Sequence, residues 1–309
     1  MFVIVDALVV DSVPDRLVFL LRNNGVKVNY NPGISREEII KVLNNYDILV
    51  FRSRLKIDKE IIDSSNRLKY LARFGVGLDN VDIEYAMKKG IKIINAPNAP
   101  SKSVAQLIIS MIFILERKLY KIIDSVKNGE WPKGKIIGNE VDGKTLGIIG
   151  FGRIGRVTAR YAYQLGMKIL ANDIIDVNQE VQKYEGKQVS LDYLLQNSDI
   201  ISLSVPLTPL TYHMINYKTI SLIKNDSIII NTSRGEVIDT KALLDSLDKF
   251  KGIGLDVLEQ EPPKDEIFRK LIKNDKVMVT SHIGSETFEA MDRLTEEFVT
   301  NILKEVSSK

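Results

Sequence analysis

A glycine-rich turn near the middle of the chain constrains the fold more than any other feature. An apolar run that begins at Leu146 leads into Gly150-Phe151-Gly152-Arg153-Ile154-Gly155, and an amphipathic stretch follows. In a strand–turn–helix unit of this kind, the first glycine permits the tight turn, the second lets the backbone approach a pyrophosphate, and the third lets the helix pack closely on its strand. The free N–H groups and the positive dipole end of the helix attract phosphate. The pattern predicts a dinucleotide-binding unit.

The acidic residue Asp173 follows this turn and a second apolar run, at the spacing of about 20 residues that is typical of a ribose contact. A carboxylate there can accept hydrogen bonds from the adenosine ribose hydroxyls and would repel a 2′-phosphate. We therefore expect NAD rather than NADP as the cofactor, with Asn172 and Ile174 also shaping the ribose pocket.

Short apolar runs alternate with amphipathic stretches along the whole chain, which is typical of parallel βαβ construction. The two prolines Pro97 and Pro100 divide these runs into two series. The runs predict strands at 2–10, 48–51, 68–74 and 91–95 in the first series, and at 145–149, 168–172, 200–205, 227–231, 253–257 and 277–280 in the second.

The predicted fold is α/β, with two Rossmann-like, doubly wound parallel-sheet domains. A helix over 101–119, with Ser101 as its cap, connects them. The tail, 286–309, is one amphipathic helix that we expect to fold back onto the first domain. Residues 1–97 plus 286–309 would then form a discontinuous substrate-binding domain, and residues 98–285 an NAD-binding domain.

Composition excludes several classes of function. The basic residues exceed the acidic ones by only three and are scattered among them, so we expect neither nucleic acid nor a membrane surface as a partner. The absence of cysteine excludes disulfides, thiolate nucleophiles and zinc–thiolate sites, and no Asp, Glu and His grouping has metal-ligand spacing. Residues 1–10 contain Asp6 and no basic residue, so we interpret them as a strand rather than a signal peptide and expect a cytoplasmic protein.

Three polar residues follow three predicted strands of the second series, at the sheet edge where ligands collect. Arg234 follows 227–231, Glu261 follows 253–257, and His282 follows 277–280. A histidine held by a carboxylate can exchange a proton with a substrate, and an arginine offers a planar fork for a carboxylate or carbonyl oxygen. We interpret the second histidine, His213, as a packed or surface residue because it lies in an amphipathic segment.

The first series contains a candidate anion site. Arg52-Ser53-Arg54 follows one predicted strand, and Arg73-Phe74-Gly75-Val76-Gly77 follows another. The glycines on either side of Val76 allow consecutive N–H groups to turn inward as an anion nest, and the arginines could hold a further negative group such as a phosphate. Arg54 has no clear partner in the sequence, so a solvated charge stays an alternative for it.

Five motifs resemble those of the D-isomer-specific 2-hydroxyacid dehydrogenase family, and the similarity extends over nearly the whole chain. They are Gly143-Lys144-Thr145-Leu146-Gly147, Val205-Pro206-Leu207-Thr208-Pro209, Asn231-Thr232-Ser233-Arg234-Gly235, Asp256 with Glu261-Pro262-Pro263, and His282-Ile283-Gly284. Residues 73–82 resemble a stretch of the subgroup that acts on 3-phosphoglycerate.

The resemblance implies NAD-dependent hydride transfer at C2 of a D-2-hydroxy acid, with 3-phosphoglycerate as the expected substrate and a homodimer as the expected assembly. The implied catalytic residues are Arg234, Glu261 and His282. The implied cofactor residues are Val76, Gly150, Gly152, Arg153, Ile154, Gly155, Asp173, Val205, Pro206, Thr232, Ser233, Arg234, Asp256, His282 and Ser285, with Asp256 on the nicotinamide carboxamide. The implied substrate residues are Arg52, Ser53, Arg73, Gly75, Val76, Gly77, Arg234 and His282.

Three alternatives remain at this point. The chain could be a glyoxylate or hydroxypyruvate reductase, a D-lactate dehydrogenase, or a non-catalytic, NAD-sensing scaffold like the corepressors that share this fold. Because the chain ends after one helix beyond the second series, we also expect no feedback by serine through an added C-terminal domain.

Overall fold

The computed structural model describes residues 5–307. Residues 2–4 of the first predicted strand and residues 308–309 of the predicted tail helix lie outside the described residues. Contacts divide the chain into two compact units. The first unit contains the residues up to Pro100 together with those from Thr287 onward, and the second runs from Ser101 to Glu286.

The first unit contains a sheet of five parallel strands in the order β2-β1-β3-β4-β5. Its strands are β1 (Val5–Val9), β2 (Val26–Tyr30), β3 (Ile48–Phe51), β4 (Tyr70–Arg73) and β5 (Lys92–Ile94). Its connecting helices are α1 (Asp15–Asn23), α2 (Arg36–Val42), α3 (Lys59–Asp63) and α4 (Ile83–Lys88). Strand β3 is buried along its whole length, which explains its uninterrupted apolar sequence.

Strand β2 was not among the predicted strands. It lies at the edge of the sheet, and only Val26 and Val28 are buried, while Lys27 and Asn29 are exposed. Two buried valines in five residues are a weak signal, because a run this short does not separate strand periodicity from chance.

The second unit contains a sheet of seven parallel strands in the order β12-β11-β10-β9-β6-β7-β8. Its strands are β6 (Thr145–Ile149), β7 (Lys168–Asn172), β8 (Lys187–Gln188), β9 (Ile200–Leu203), β10 (Ser227–Asn231), β11 (Phe250–Leu255) and β12 (Val277–Val279). Its helices are α5 (Ser101–Glu116), α6 (Leu119–Lys127), α7 (Arg153–Gln164), α8 (Asn178–Gln182), α9 (Leu191–Asn197), α10 (Tyr217–Leu222), α11 (Thr240–Asp245) and α12 (Glu266–Ile272). Strand order reverses between β6 and β9, the position where open α/β sheets bind ligands.

Three details of the second unit differ from the sequence predictions. Strand β8 is a two-residue polar strand that no apolar run marks. The predicted helix over 101–119 ends at Glu116, because Lys118 has a left-handed backbone (φ 52°) and α6 begins directly after it. Ser101 is the first residue of α5 rather than its cap.

The last helix, α13 (Phe288–Ser307), completes the core of the first unit, which is therefore discontinuous in sequence. Leu294, Phe298 and Ile302 are buried among residues of β1 and β4. The ring of Phe298 meets that of Phe74 edge to face, with the centroids 5.3 Å apart. The two parallel sheets confirm the predicted α/β fold class. No helix within residues 5–307 is long and apolar enough to cross a membrane.

Candidate active site

In the glycine turn after β6, two of the three glycines are closely packed against backbone atoms, and the third has free space beside its α-carbon. Gly150 has φ 90°, and a β-carbon there would lie 2.4 Å from the carbonyl oxygen of Ser204. A β-carbon on Gly155 would lie 2.3 Å from the carbonyl oxygen of Gly150, so both glycines are required by close packing. A β-carbon on Gly152 would meet nothing within 4 Å. The space beside Gly152, at the start of α7, fits a pyrophosphate group.

The carboxylate of Asp173 is fixed beside this turn. It accepts hydrogen bonds from the backbone N–H groups of Phe151 (2.7 Å) and Ile175 (3.2 Å). A carboxylate has about four acceptor positions, so capacity for ribose hydroxyls remains. The neighbouring residues Asn172 and Ile174 bring no positive charge that would attract a 2′-phosphate. The geometry therefore fits NAD better than NADP.

Further predicted cofactor residues lie at the same sheet edge. Ile149, Leu203 and Asn231 are aligned across β6, β9 and β10, so the segments that follow these three strands begin side by side. These segments contain Arg153, Ile154, Val205, Pro206, Thr232 and Ser233. Ser285 lies in the exposed segment after Gly284, whereas Val76 belongs to the first unit. Within the described residues, no three His, Asp or Glu side chains group as a metal site.

The structure pairs His282 with Glu261. The ring nitrogen Nδ1 of His282 lies 2.8 Å from Oε2 of Glu261, and the other carboxylate oxygen accepts the N–H of Leu258 at 3.0 Å. Because Glu261 engages Nδ1, Nε2 is the ring nitrogen that remains for proton exchange with a bound molecule. The side chain of His282 is 50% exposed, so such a molecule can reach it.

This pair shifts the pKa values of both partners. The hydrogen bond that the His282 ring donates to Glu261 raises the pKa of His282 above its ordinary value, although burial and the charge of Arg234 act against it. Burial alone would raise the pKa of Glu261, but the hydrogen bonds from His282 and Leu258 outweigh burial and lower it. The imidazolium–carboxylate form is thus stabilised over a wider pH range than for separate residues.

Arg234 follows β10 in a loop that Asn231 shapes. The buried side chain of Asn231 donates to the carbonyl oxygen of Arg234 (2.8 Å) and accepts from the N–H and hydroxyl of Ser233. Arg234 itself donates from Nη1 to the carbonyl oxygen of Ser233 at 2.7 Å. Its positive charge lowers the pKa of both Glu261 and His282, so the three predicted catalytic side chains share one electrostatic environment.

The second histidine also has a glutamate partner, which the sequence interpretation missed. Nε2 of His213 lies 2.6 Å from Oε1 of Glu259, and the other carboxylate oxygen of Glu259 accepts the N–H of Thr240. Tyr212 stacks on the imidazole, with ring centroids 4.1 Å apart. His213 is thus a half-buried residue that ties the segment after β9 to the segment that contains Glu261.

In the first unit, Arg54 has partners that the sequence did not reveal. Its Nε lies 2.6 Å from Oδ1 of the buried Asp11, and its Nη2 donates to the carbonyl oxygen of Val10. Arg54 is therefore paired, although its side chain is still 47% exposed. Asp11 also accepts the backbone N–H of Arg52, whose guanidinium lies 6.0 Å from the ring centre of Phe74.

The remaining predicted substrate residues of the first unit lie at the ends of the adjacent strands β3 and β4, where Arg73 is the last residue of β4 and the others follow in the loops. Ser53 is exposed beside Arg52. Gly75 has φ 148°, and Nη1 of Arg73 lies where a β-carbon on Gly75 would stand, only 1.9 Å from that position. The carbonyl oxygens of Gly75 and Val76 accept from the N–H of Ala96 and from the side chain of Asn95. Arg73 therefore folds back over the loop that leads to Gly77.

Residues 109–284 match the sequence model of the D-isomer specific 2-hydroxyacid dehydrogenase NAD-binding domain. The chain belongs to the D-isomer-specific 2-hydroxyacid dehydrogenase family. The match covers more than half of the chain and includes the glycine turn, Arg234, Glu261 and His282. It confirms the resemblance and NAD as the cofactor, and it makes the chain a member of a family of NAD-dependent oxidoreductases that act on D-2-hydroxy acids.

Individual relatives differ in substrate and in length. The chain is 43% identical to a hydroxypyruvate reductase of Thermotoga maritima, over 88% of this chain and 89% of that protein. It is 39% identical to a D-3-phosphoglycerate dehydrogenase of Methanocaldococcus jannaschii over 93% of this chain, but it spans only 54% of that protein's length. The fold matches a D-lactate dehydrogenase of Aquifex aeolicus complexed with NAD and lactic acid, with a TM-score of 0.85, 32% identity, and coverage of 98% and 96% of the two chains.

Replacing Glu261 by Gln should lower the pKa of His282, because the charged hydrogen-bond partner that raises it is removed. In the reducing direction, the fall of kcat/KM at high pH should then begin at a lower pH than in the wild type.

The same change should lower stability in a pH-dependent way. Protonated His282 contributes to the free energy of unfolding in full below about pH 6.5, and ionised Glu261 contributes in full above about pH 4.3. The difference in Tm between wild type and variant should be largest between these values and shrink as pH rises or falls through the folded-state pKa values.

Glu259→Gln is the matched control, since it makes the same change two residues away on the carboxylate that pairs with His213. It should leave the fall of kcat/KM at high pH unchanged. A Glu261→Gln enzyme with the wild-type fall would contradict the assigned electrostatic coupling.

Proposed function

We propose that this protein catalyses reversible hydride transfer between NAD and C2 of a D-2-hydroxy acid, with the His282–Glu261 pair as its acid–base group. The observation that carries this proposal is the 2.8 Å contact between the two side chains, with His282 half-exposed at the carboxyl edge of the NAD-binding sheet. Bound NAD supplies the acceptor or donor of the hydride. The residues of the chain bind the substrate and move the proton.

In the oxidising direction, Nε2 of His282 accepts the C2 hydroxyl proton as the C2 hydrogen leaves with its electron pair and the carbonyl forms. In reduction, the protonated ring returns that proton to the developing alkoxide. Glu261 holds the tautomer with Nδ1–H and stabilises the charged ring. Arg234 binds the substrate carboxylate or polarises the carbonyl oxygen.

The substrate that we propose first is 3-phosphoglycerate, oxidised to 3-phosphohydroxypyruvate, which is the first step of serine biosynthesis. Support comes from Arg52, which directly follows β3, and from Arg73, which ends the adjacent strand β4 just before the glycines around Val76. Similarity to a D-3-phosphoglycerate dehydrogenase over 93% of this chain supports the same choice.

Hydroxypyruvate without the phosphate is the second candidate. Two observations favour it. The hydroxypyruvate reductase relative is similar over nearly its whole length. The ion pair between Arg54 and Asp11 also removes one of the three arginines from the set that could hold a phosphate.

A substrate panel separates the two candidates. With NADH, we expect kcat/KM to be highest for 3-phosphohydroxypyruvate, ahead of hydroxypyruvate, glyoxylate and pyruvate, and to fall when NADPH replaces NADH. Arg52→Gln should raise KM for the phosphorylated acid by about tenfold or more, because one charged hydrogen bond is lost. KM for hydroxypyruvate should change little.

Arg16→Gln is the control, because Arg16 pairs with Asp292 and Glu296 at the surface of the same unit. A preference for unphosphorylated acids would contradict the phosphate role of Arg52 and favour the second candidate. Absence of turnover on every 2-oxo acid would contradict catalysis itself and support a non-catalytic NAD-binding role.

We also propose that the protein is a homodimer. Helix α6 buries none of its residues, and the segment after it exposes Trp131 (75%) and Ile137 (72%). Large exposed apolar side chains close together in sequence are typical of an interface, and association would remove them from water.

Trp131→Glu combined with Ile137→Glu should therefore convert a species of twice the 34.9 kDa chain mass into one of the chain mass, as measured by light scattering after gel filtration. Phe19→Glu is the control, since Phe19 is an exposed aromatic residue of α1 in the first unit. A wild-type protein with the mass of one chain would contradict the proposal.

A further inference from the structure

His282 has a left-handed backbone conformation that few non-glycine residues adopt. Its φ is 57°, in the left-handed region where the β-carbon crowds the following carbonyl oxygen. A non-glycine residue keeps such a conformation only when surrounding contacts enforce it. The contacts that hold this loop therefore decide where the imidazole points.

Most of those contacts end on one residue, Asp256, which directly follows β11. Its Oδ1 accepts the hydroxyl of Thr280 (2.6 Å) and the N–H of Ile283 (2.9 Å). Its Oδ2 accepts the N–H of Gly284 (2.9 Å), and its backbone carbonyl accepts the N–H of His282 (2.8 Å). Asp256 thus accepts hydrogen bonds from residues before and after His282 as well as from His282 itself.

The loop is also closely packed against α5. A β-carbon on Gly284 would lie 3.0 Å from Oδ2 of Asp256 and 3.3 Å from Cγ2 of Val104. The hydroxyl of Ser103 donates to the carbonyl oxygen of Gly284 at 2.7 Å. Gly284 is therefore enclosed between a buried carboxylate and a helix, whereas residues 281–283 before it are exposed.

Asp256 is only 2% exposed, and its three side-chain hydrogen bonds use most of its acceptor capacity. Two donors occupy Oδ1 and one occupies Oδ2, which leaves about one acceptor position on Oδ2. One remaining position matches a single N–H of the nicotinamide carboxamide that the family resemblance assigns to this residue. The same carboxylate can therefore hold the loop and meet the cofactor.

We propose that Asp256 is a positioning residue for His282, because its carboxylate holds residues 280–284 in the left-handed turn that aims the imidazole at Glu261. This proposal rests on the acid–base role proposed above for His282. The charged groups that act on the His282 ring are Glu261, Asp256 and Arg234, and the negative charge of Asp256 favours the protonated ring.

Asp256→Asn tests the proposal, because the amide keeps the size of the carboxylate but turns one acceptor into a donor that faces N–H and O–H donors. We expect kcat to fall about 100-fold, as for a catalytic group displaced by about 1 Å. The Kd of NADH, measured by fluorescence, should rise by a smaller factor. The imidazole NMR signal of His282 should shift and titrate at lower pH in the absence of substrate.

Thr280→Val is the second variant, and it decides the test if Asp256→Asn does not fold. It removes one hydrogen bond to Oδ1 and leaves the charge of Asp256 in place. We expect a smaller fall in kcat in the same direction. The chain has two histidines, so the spectrum of a His213→Asn variant assigns the His282 signal.

Asp239→Ala controls for general loss of stability, since Asp239 caps α11 of the same unit through the N–H of Ala242. It should lower Tm without moving the His282 signal. An Asp256→Asn enzyme with wild-type kcat would overturn the proposal. A variant that loses activity only through weaker NADH binding, with the His282 signal unchanged, would overturn it as well. If the wild type turned over no 2-oxo acid, the proposed function would fail, but the His282 titration would still test the positioning role.

Discussion

The chemistry of the second unit depends on one constraint, which is that all seven strands of its sheet are parallel. Their carboxyl ends therefore meet at one edge, and segments distant in sequence become neighbours there. The glycine turn follows β6, Arg234 follows β10, Glu261 follows β11 and His282 follows β12. The strand order reverses between β6 and β9, which is the position at that edge where open α/β sheets bind ligands.

Within this edge, two carboxylates and one guanidinium set the properties of the His282 ring. Glu261 bonds to the ring directly, whereas Asp256 holds the loop backbone and adds a more distant negative charge. Arg234 opposes both effects on the pKa of the ring. An oxidoreductase of this kind protonates an alkoxide in one direction and deprotonates an alcohol in the other. Its acid–base group therefore works best with a pKa near the operating pH, and these opposing charges adjust that pKa.

The sequence predicted the parts of the fold that local patterns encode. The strands over 145–149, 168–172 and 227–231 agree with the structure at both ends, because each has an apolar interior and a polar residue at one or both ends. The edge strands β2 and β8 were not predicted. Strand β2 has only one buried face, and β8 has only two residues, which is too short to show a period. The end of α5 was missed because Lys118 is left-handed for reasons that its own residue type does not reveal.

Pairings between distant residues were the least predictable part of the site. Nothing in the local sequence joins Arg54 to Asp11, which lies 43 residues away, or His213 to Glu259, which lies 46 residues away. The four contacts of Asp256 with the loop of His282 likewise depend on β11 and β12 lying side by side. Such pairs follow from strand order and register, and a single sequence specifies these only through the complete fold.

Turnover by His282→Ala tests the central claim most directly. If His282 is the acid–base group at the hydride-transfer site, kcat for the best 2-oxo acid should fall by about 100-fold to 10,000-fold, the usual contribution of general acid–base catalysis. The Kd of NADH should stay close to the wild-type value, because the glycine turn and Asp173 are untouched. A variant that kept wild-type kcat, or that lost activity only through NADH affinity, would contradict the assignment of His282 as the acid–base group.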